Sequence, residues 1–400
     1  MIEYVTLALL GCLLGVITGL TPGLHVNTIA IIGISIFPSL NLSPLEFTTI
    51  MVAMAVTHTF LDFIPAIFLG VPEESTALNV LPMHKLVIQG KAMGAVKLTA
   101  YGSLLGLGFA LLLLIPMVFL IPIFYYGLRG FIVYILMIAV LFLVIRERNK
   151  IKILWAVVVF FLSGFLGILM FDLKALSATQ ILFPVFVGLF GFSNILFPLK
   201  NKTTRIPQKN FVRVDIDKNF VASGFLGSFG GMLVGILPAM SPSQVGVLIY
   251  EIIGSDIRNF IVSVSAINTS DAIYSFISLY TIHNPRSGVA TMVGKIIDID
   301  FNGLLLIIGV IAFSAFVATI IHIRIGRIAM SLLNIVDYKT LSLISIILIL
   351  SLVYIFTGFL GIYILLLSTS IGLLSILTGI SRTHSMGVLL LPTILYFLGV

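Results

Sequence analysis

Long apolar stretches alternate with short polar ones along almost the whole chain. A helix crossing the hydrocarbon core of a bilayer needs about 20 apolar residues, and runs near that length recur here. Residues 4–20 and 28–40 form an apolar pair broken at 21–27. Residues 47–70 form a span with polar residues in its middle, and a polar stretch follows at 71–97. Further spans are expected at 98–121, 130–145, 153–171 and 179–199. Beyond a polar segment at 200–219 the pattern resumes with 220–237 and 243–254 around a second break. It continues with 259–282, 303–321, 341–357, 359–379 and 386–399. The predicted fold class is an all-α polytopic membrane protein with roughly ten spans.

The two halves look alike. Gly15-Val-Ile-Thr-Gly-Leu-Thr precedes Pro22-Gly23, and Gly231-Met-Leu-Val-Gly-Ile-Leu precedes Pro238 and Pro242. Thr57, His58, Thr59 and Asp62 sit mid-span in one half; Asn268, Thr269, Ser270 and Asp271 do so in the other. Ser163-Gly164-Phe165-Leu166-Gly167 is answered by Thr357-Gly358-Phe359-Leu360-Gly361. Three matches in one order predict an internal duplication. The organisation expected is a first membrane repeat at 1–199, a basic cytoplasmic linker at 200–219 and a second repeat at 220–400. Each repeat would hold a Pro-broken re-entrant helix pair. The basic loop at 146–152 contrasts with the near-neutral Asp337-Tyr338-Lys339-Thr340, which favours an inverted arrangement.

Composition narrows the class. Of 400 residues, 60% are hydrophobic and 9% charged, and mean hydropathy is +1.22. A soluble domain carries about 25% charged residues, so a soluble enzyme is excluded. The net charge of +7 comes from short runs of Lys and Arg, without a basic face, so nucleic acid is not the partner. The runs at 146–152 and 200–218 are separated by two spans and should share the cytoplasmic side of the cell membrane. Cys12 is the only cysteine and reads as a small core residue. No cleavable leader is read in residues 4–20, which lack a positive flank.

The chemistry is expected where backbone is irregular at membrane depth, which survives only inside protein or along a cavity. Each break would expose the N-terminus of a half-helix, with free N–H groups and a positive dipole end. Candidate substrate-binding residues are therefore Pro22, Gly23, His25, Asn27 and Thr28, with Ser241, Ser243 and Gln244. Such paired ends suit an anion. The competing reading is two capped proline kinks, with Asn27 and Ser243 as caps. An acid within a span marks a functional site by default. His58 and Asp62 lie four apart, able to pair, and with Asn268 and Asp271 would carry a coupling proton or Na⁺. The alternative for that group is helix packing. Glu73 and Arg286 fall at matching places with opposite charge and form a candidate gate. His322 is expected at the interface, and Arg382 and His384 beside headgroups or substrate. No metal site is assigned, and no cofactor beyond Na⁺ is called for.

Short motifs occur at Gly19-x-x-Pro22-Gly23, Pro72, Ser75-Thr76-Ala77, Pro82-Met83, Gly90-Lys91-Ala92, Ser103 and Gly106. Together they resemble the TctA family, the large membrane subunit of tripartite tricarboxylate transporters. Two departures stand out: Thr57-His58-Thr59 replaces a Gly-Gly-Ser, and Glu73 replaces a Gly after the proline. The resemblance implies a permease with a duplicated fold, working with a small membrane subunit and an extracytoplasmic binding protein.

The expected function is a non-enzymatic secondary transporter of a small organic anion such as a di- or tricarboxylate. Uptake would be coupled to H⁺ or Na⁺ by alternating access between the repeats. The alternative is a translocase of a polyprenyl phosphate, with the same breaks holding the lipid phosphate. No nucleotide-binding or hydrolase motif appears.

Overall fold

The computed structural model describes residues 2–22, 24, 26–73, 75–147, 149–173, 176–196, 207–209, 211–237, 240–253, 256–333 and 338–399. All regular elements among them are helical. The first half contains α1 (Ile2–Leu20), α2 (Val26–Ile36), α3 (Pro44–Leu61), α4 (Phe63–Phe68), α5 (Val80–Ile88), α6 (Ala92–Leu112), α7 (Leu114–Leu128), α8 (Ile132–Ile145) and α9 (Lys150–Asp172). It ends with α10 (Ala178–Phe186), a π-helical turn (Val187–Phe192) and α11 (Ser193–Leu196). The second half contains α12 (Lys218–Ile236), α13 (Pro242–Ile253), α14 (Ile257–Ile282), α15 (Gly288–Val293), α16 (Phe301–Leu333), α17 (Tyr338–Thr378) and α18 (Gly387–Leu398). Among the described residues, nine helical segments are long and apolar enough to cross a membrane.

Glycine spacing explains how the first three helices pack. Gly11, Gly15 and Gly19 lie on one face of α1 and meet Ile50, Met54 and His58 of α3 in turn. A Cβ at Gly15 would fall 2.6 Å from the Met54 carbonyl oxygen, so only glycine allows this approach. The contacts advance together, so α1 and α3 are parallel. The chain between them must therefore come back, which makes α2 the return arm of a re-entrant hairpin. Its 11 residues rise only about 16 Å, half the hydrocarbon thickness.

The same construction recurs in the second half. Gly227, Gly231 and Gly235 of α12 stand 216 residues further on and meet Ser263, Ile267 and Asp271 of α14. The 12-residue α13 is the return arm. This packing makes His58 the positional counterpart of Asp271. The Gly-Phe-Leu-Gly match does not carry over. Gly164 and Gly167 pack on Leu391 and Val388 of α18, whereas Gly358 breaks α17 at φ +64°. That break divides α17 where the sequence places the boundary between two spans.

One end of the molecule collects the basic segments. Gln208 bonds the Ala92 N–H and the Val87 carbonyl at the start of α6. Arg258 joins Asp217 and Asp256, tying the start of α12 to that of α14. Arg146 pairs with Glu251 near the end of α13, and Lys152 donates to the Gly379 carbonyl at 2.8 Å. The loop before α9 and the described part of the linker thus reach the same α13–α14 turn.

Several expectations change. The polar stretch 71–97 contains α5 and the start of α6, and the span expected at 98–121 breaks at Leu113. The span expected at 47–70 is present as Pro44–Phe68, with a turn at Asp62 between α3 and α4. His322 is not interfacial: it is fully buried on α16 and meets Thr99 at 3.0 Å. Arg382 and His384 are buried too. Arg382 donates to the Leu189 and Phe190 carbonyls of the π-helical turn and to the Asn194 and Ser193 side chains, and His384 meets Glu147 at 2.9 Å.

Candidate functional site

The two spans that carry mid-membrane polar residues are the most enclosed. In α3 with α4, and again in α14, 94% of the most apolar window is buried, against 22% to 61% in the other spans. Their polar side chains therefore face protein rather than lipid, the usual arrangement for ionisable groups at this depth.

A cavity of about 310 Å³ lies between the halves. Both helix breaks border it, through Val26 and Asn27 at the start of α2 and through Leu237, Met240 and Pro242 around the second break. Polar groups of both enclosed spans line it as well: His58, Thr59 and Asp62 from α3, and Asn268 and Asp271 from α14. The connections after these spans add Glu73, Ser75 and Arg286. The volume is at the small end of the range for small-molecule sites.

His58 anchors one wall. Its Nδ1 lies 3.1 Å from the Thr18 hydroxyl, which itself donates to the Gly15 carbonyl at 3.2 Å. Its Nε2 lies 3.2 Å from Glu73 Oε2. The expected His58–Asp62 pair is thus widened into a group of three, whose ligand atoms all lie within 4.8 Å of one another. Asp62 Oδ2 accepts from Ser75 Oγ at 3.0 Å and from Asn268 Nδ2 at 3.2 Å. Its Oδ1 is buried without a hydrogen-bond donor. Asn268 also donates to the Thr59 carbonyl at 3.3 Å, so one amide ties α14 to α3 at the cavity wall.

Asp271 and Arg286 line the same cavity. Arg286 reaches the Ile236 carbonyl at 3.5 Å, placing a cation at the negative end of α12. Burial lowers its pKa, and Tyr125 and Asp271 oppose that shift. Glu73 and Arg286, expected to face each other as a gate, share the cavity, with Glu73 ion-paired to His58.

The residues of the second break divide. Ser241 and Gln244 form a reciprocal cap on α13: the Ser241 N–H donates to Gln244 Oε1 at 2.9 Å, and the Gln244 N–H to Ser241 Oγ at 3.3 Å. Ser243 donates to the Ser75 carbonyl at 2.7 Å and accepts from the Leu78 N–H, joining the two halves. None of these three lines the cavity, whereas Pro242 does. At the first break, Pro22 is buried and Asn27 packs on Gly288. Gly23, His25 and the Thr28 side chain lie outside the described residues. Sequence reasoning missed Thr18 and Gly288 as neighbours of the site. Thr18 stands inside the glycine run that marked the repeat, and its spacing from His58 in sequence gave no signal.

Comparison with known proteins agrees with this architecture. Residues 5–387 match the Tripartite tricarboxylate transporter TctA family. The chain is 32% identical over 400 residues to the Uncharacterized protein MJ1079 of Methanocaldococcus jannaschii, covering 98% of both chains. No solved structure matches it. The chain is a multi-pass membrane protein that belongs to the TctA family of tripartite tricarboxylate transporters.

Proposed function

We propose that the chain is the transport subunit of a secondary permease that moves a small organic anion through the cavity between its halves, in company with a cation. The observation that carries this is the convergence of both broken helices and both enclosed polar spans on one 310 Å³ cavity. Asn27, at the start of α2, presents the positive end of that helix, and Arg286 supplies the fixed cation, so a carboxylate is bound on this side. Asp62, Glu73 and Asp271 outnumber Arg286 in the same cavity, so an anion enters only with compensating positive charge. H⁺ or Na⁺ coupling provides it. His58, Asp62, Asn268 and Asp271 are the coupling residues in this reading. Ser241, Ser243 and Gln244 support the second break rather than touch the substrate.

Alternating access by two oppositely oriented repeats fits the helix directions. α6 starts at the end of the molecule where the linker docks. α16, which holds the matching place after its own hairpin, runs antiparallel to it, with Gly326 against Val96 and His322 against Thr99. A small membrane subunit and an extracytoplasmic binding protein are the partners the family suggests. The lipid-phosphate reading meets the same three carboxylates in the same cavity; what favours a carboxylate over it is the family match. The test is uptake into proteoliposomes from a panel of di- and tricarboxylates, with the wild type and Asp62→Asn. Cation-driven uptake that the variant loses or uncouples supports the proposal; unchanged coupling in a folded variant removes Asp62 from it.

A further inference from the structure

His58 and Glu73 are 15 residues apart in sequence and contact each other at 3.2 Å. These meet beside a third ionisable group, Asp62, on the cavity wall. We propose that His58, Asp62 and Glu73 form a three-ligand site for a divalent first-row transition cation, with its open positions facing the cavity.

The geometry suits a metal. Ligands about 2.1 Å from a common ion stand roughly 3.0–3.4 Å apart in octahedral or tetrahedral sites. The His58 Nε2–Glu73 Oε2 separation of 3.2 Å falls in that range, and the Asp62 carboxylate, within 4.8 Å of both, must close by up to about 1.4–1.8 Å to join them. Asp62 is 3% exposed, and its Oδ1 is buried without a hydrogen-bond donor while Oδ2 is held by Ser75 and Asn268. A buried carboxylate oxygen left bare is costly unless something binds it. Thr18 holds His58 Nδ1, the outer hydrogen bond that orients a metal-ligating imidazole. An imidazole among the ligands favours a transition ion over Na⁺, Mg²⁺ or Ca²⁺, which prefer oxygen alone.

The site also answers the charge problem of the cavity: the metal, rather than H⁺ or Na⁺, is then the compensating cation at His58 and Asp62. A dication offsets two carboxylates, and its vacant positions accept a carboxylate of the incoming anion. This last step rests on the proposed transport of an organic anion; the metal site itself does not.

The test uses the purified full-length protein in detergent, stripped with chelator, and Mn²⁺ as the probe. Electron paramagnetic resonance should show one bound Mn²⁺ per chain with a coupling to ¹⁴N from His58. Zn²⁺ should displace it, and a hundredfold excess of Na⁺ should not. His58→Gln should remove the nitrogen coupling, and Thr18→Val should weaken binding by about tenfold or more. The nitrogen coupling in the wild type needs no variant and guards against misfolding. Mn²⁺ that stays aqueous, binds without nitrogen, or yields to Na⁺ would overturn the site. Thermal stabilisation by a carboxylate, measured in parallel with Na⁺ and chelator, separates the two claims. Stabilisation without Mn²⁺ binding keeps the transporter and removes the metal; Mn²⁺ binding with no carboxylate effect does the reverse.

Discussion

At the scale of single residues, the second break shows how one polar cluster divides its work. Ser241 Oγ and Gln244 Oε1 accept from each other's backbone N–H, so the two residues hold the break open as a cap. Ser241→Ala should cost about 1 kcal/mol of stability, read by thermal unfolding in detergent, and leave carboxylate binding unchanged. Loss of binding in a stable variant would return Ser241 to the substrate. Asp62, His58 and Glu73 were each legible in the sequence as ionisable groups in or beside an apolar span. Their grouping was not. His58 and Asp62 sit one turn apart, which suggested a pair, but Glu73 arrives through the turn at Gly70, whose φ of +67° only glycine adopts easily. Helical periodicity carries no information across such a turn.

At the scale of elements, the glycine faces are the main devices. Gly15 and Gly231 place the backbones of α1 and α12 against α3 and α14, where the polar residues sit. A methyl group at Gly15 would lie 2.6 Å from the Met54 carbonyl oxygen, and one at Gly231 2.9 Å from that of Ile267. Gly15→Ala and Gly231→Ala should each destabilise by about 1–3 kcal/mol and lower transport together with stability. Gly108→Ala should be neutral, because nothing lies within 4 Å of its Cβ position. Equal behaviour of all three variants in thermal unfolding would contradict this packing. Both hairpins were readable in advance from Pro22, Pro238 and Pro242 at matching places in the repeat; proline alone does not suffice, since Pro122, Pro184 and Pro392 sit inside helices. The break at Leu113 was not read, although Pro116, three residues on, cannot donate to the Leu112 carbonyl and so marks it. The buried Arg382 was also missed as a structural group. Its partners are the Leu189 and Phe190 carbonyls with the Asn194 and Ser193 side chains, 188 to 193 residues away, and helical periodicity carries no information over that distance.

At the scale of the whole molecule, one end gathers the linker, the loop before α9 and the starts of α6, α12 and α14. Lys150→Cys and Lys209→Cys, made in a Cys12→Ser background, should label from the same face of a sealed vesicle, and Lys295→Cys, just ahead of α16, from the other. Labelling of all three from one face would refute the opposed directions of α6 and α16. The central claim is that the shared cavity binds a carboxylate through Arg286 with a cation beside it. The most direct measurement is the melting temperature of the purified protein with citrate or a smaller dicarboxylate, for wild type and Arg286→Gln. A ligand bound only by the folded state raises that temperature. The account predicts a rise for the wild type that requires an added cation and vanishes in Arg286→Gln. A cation-independent rise of the same size in both proteins would contradict it.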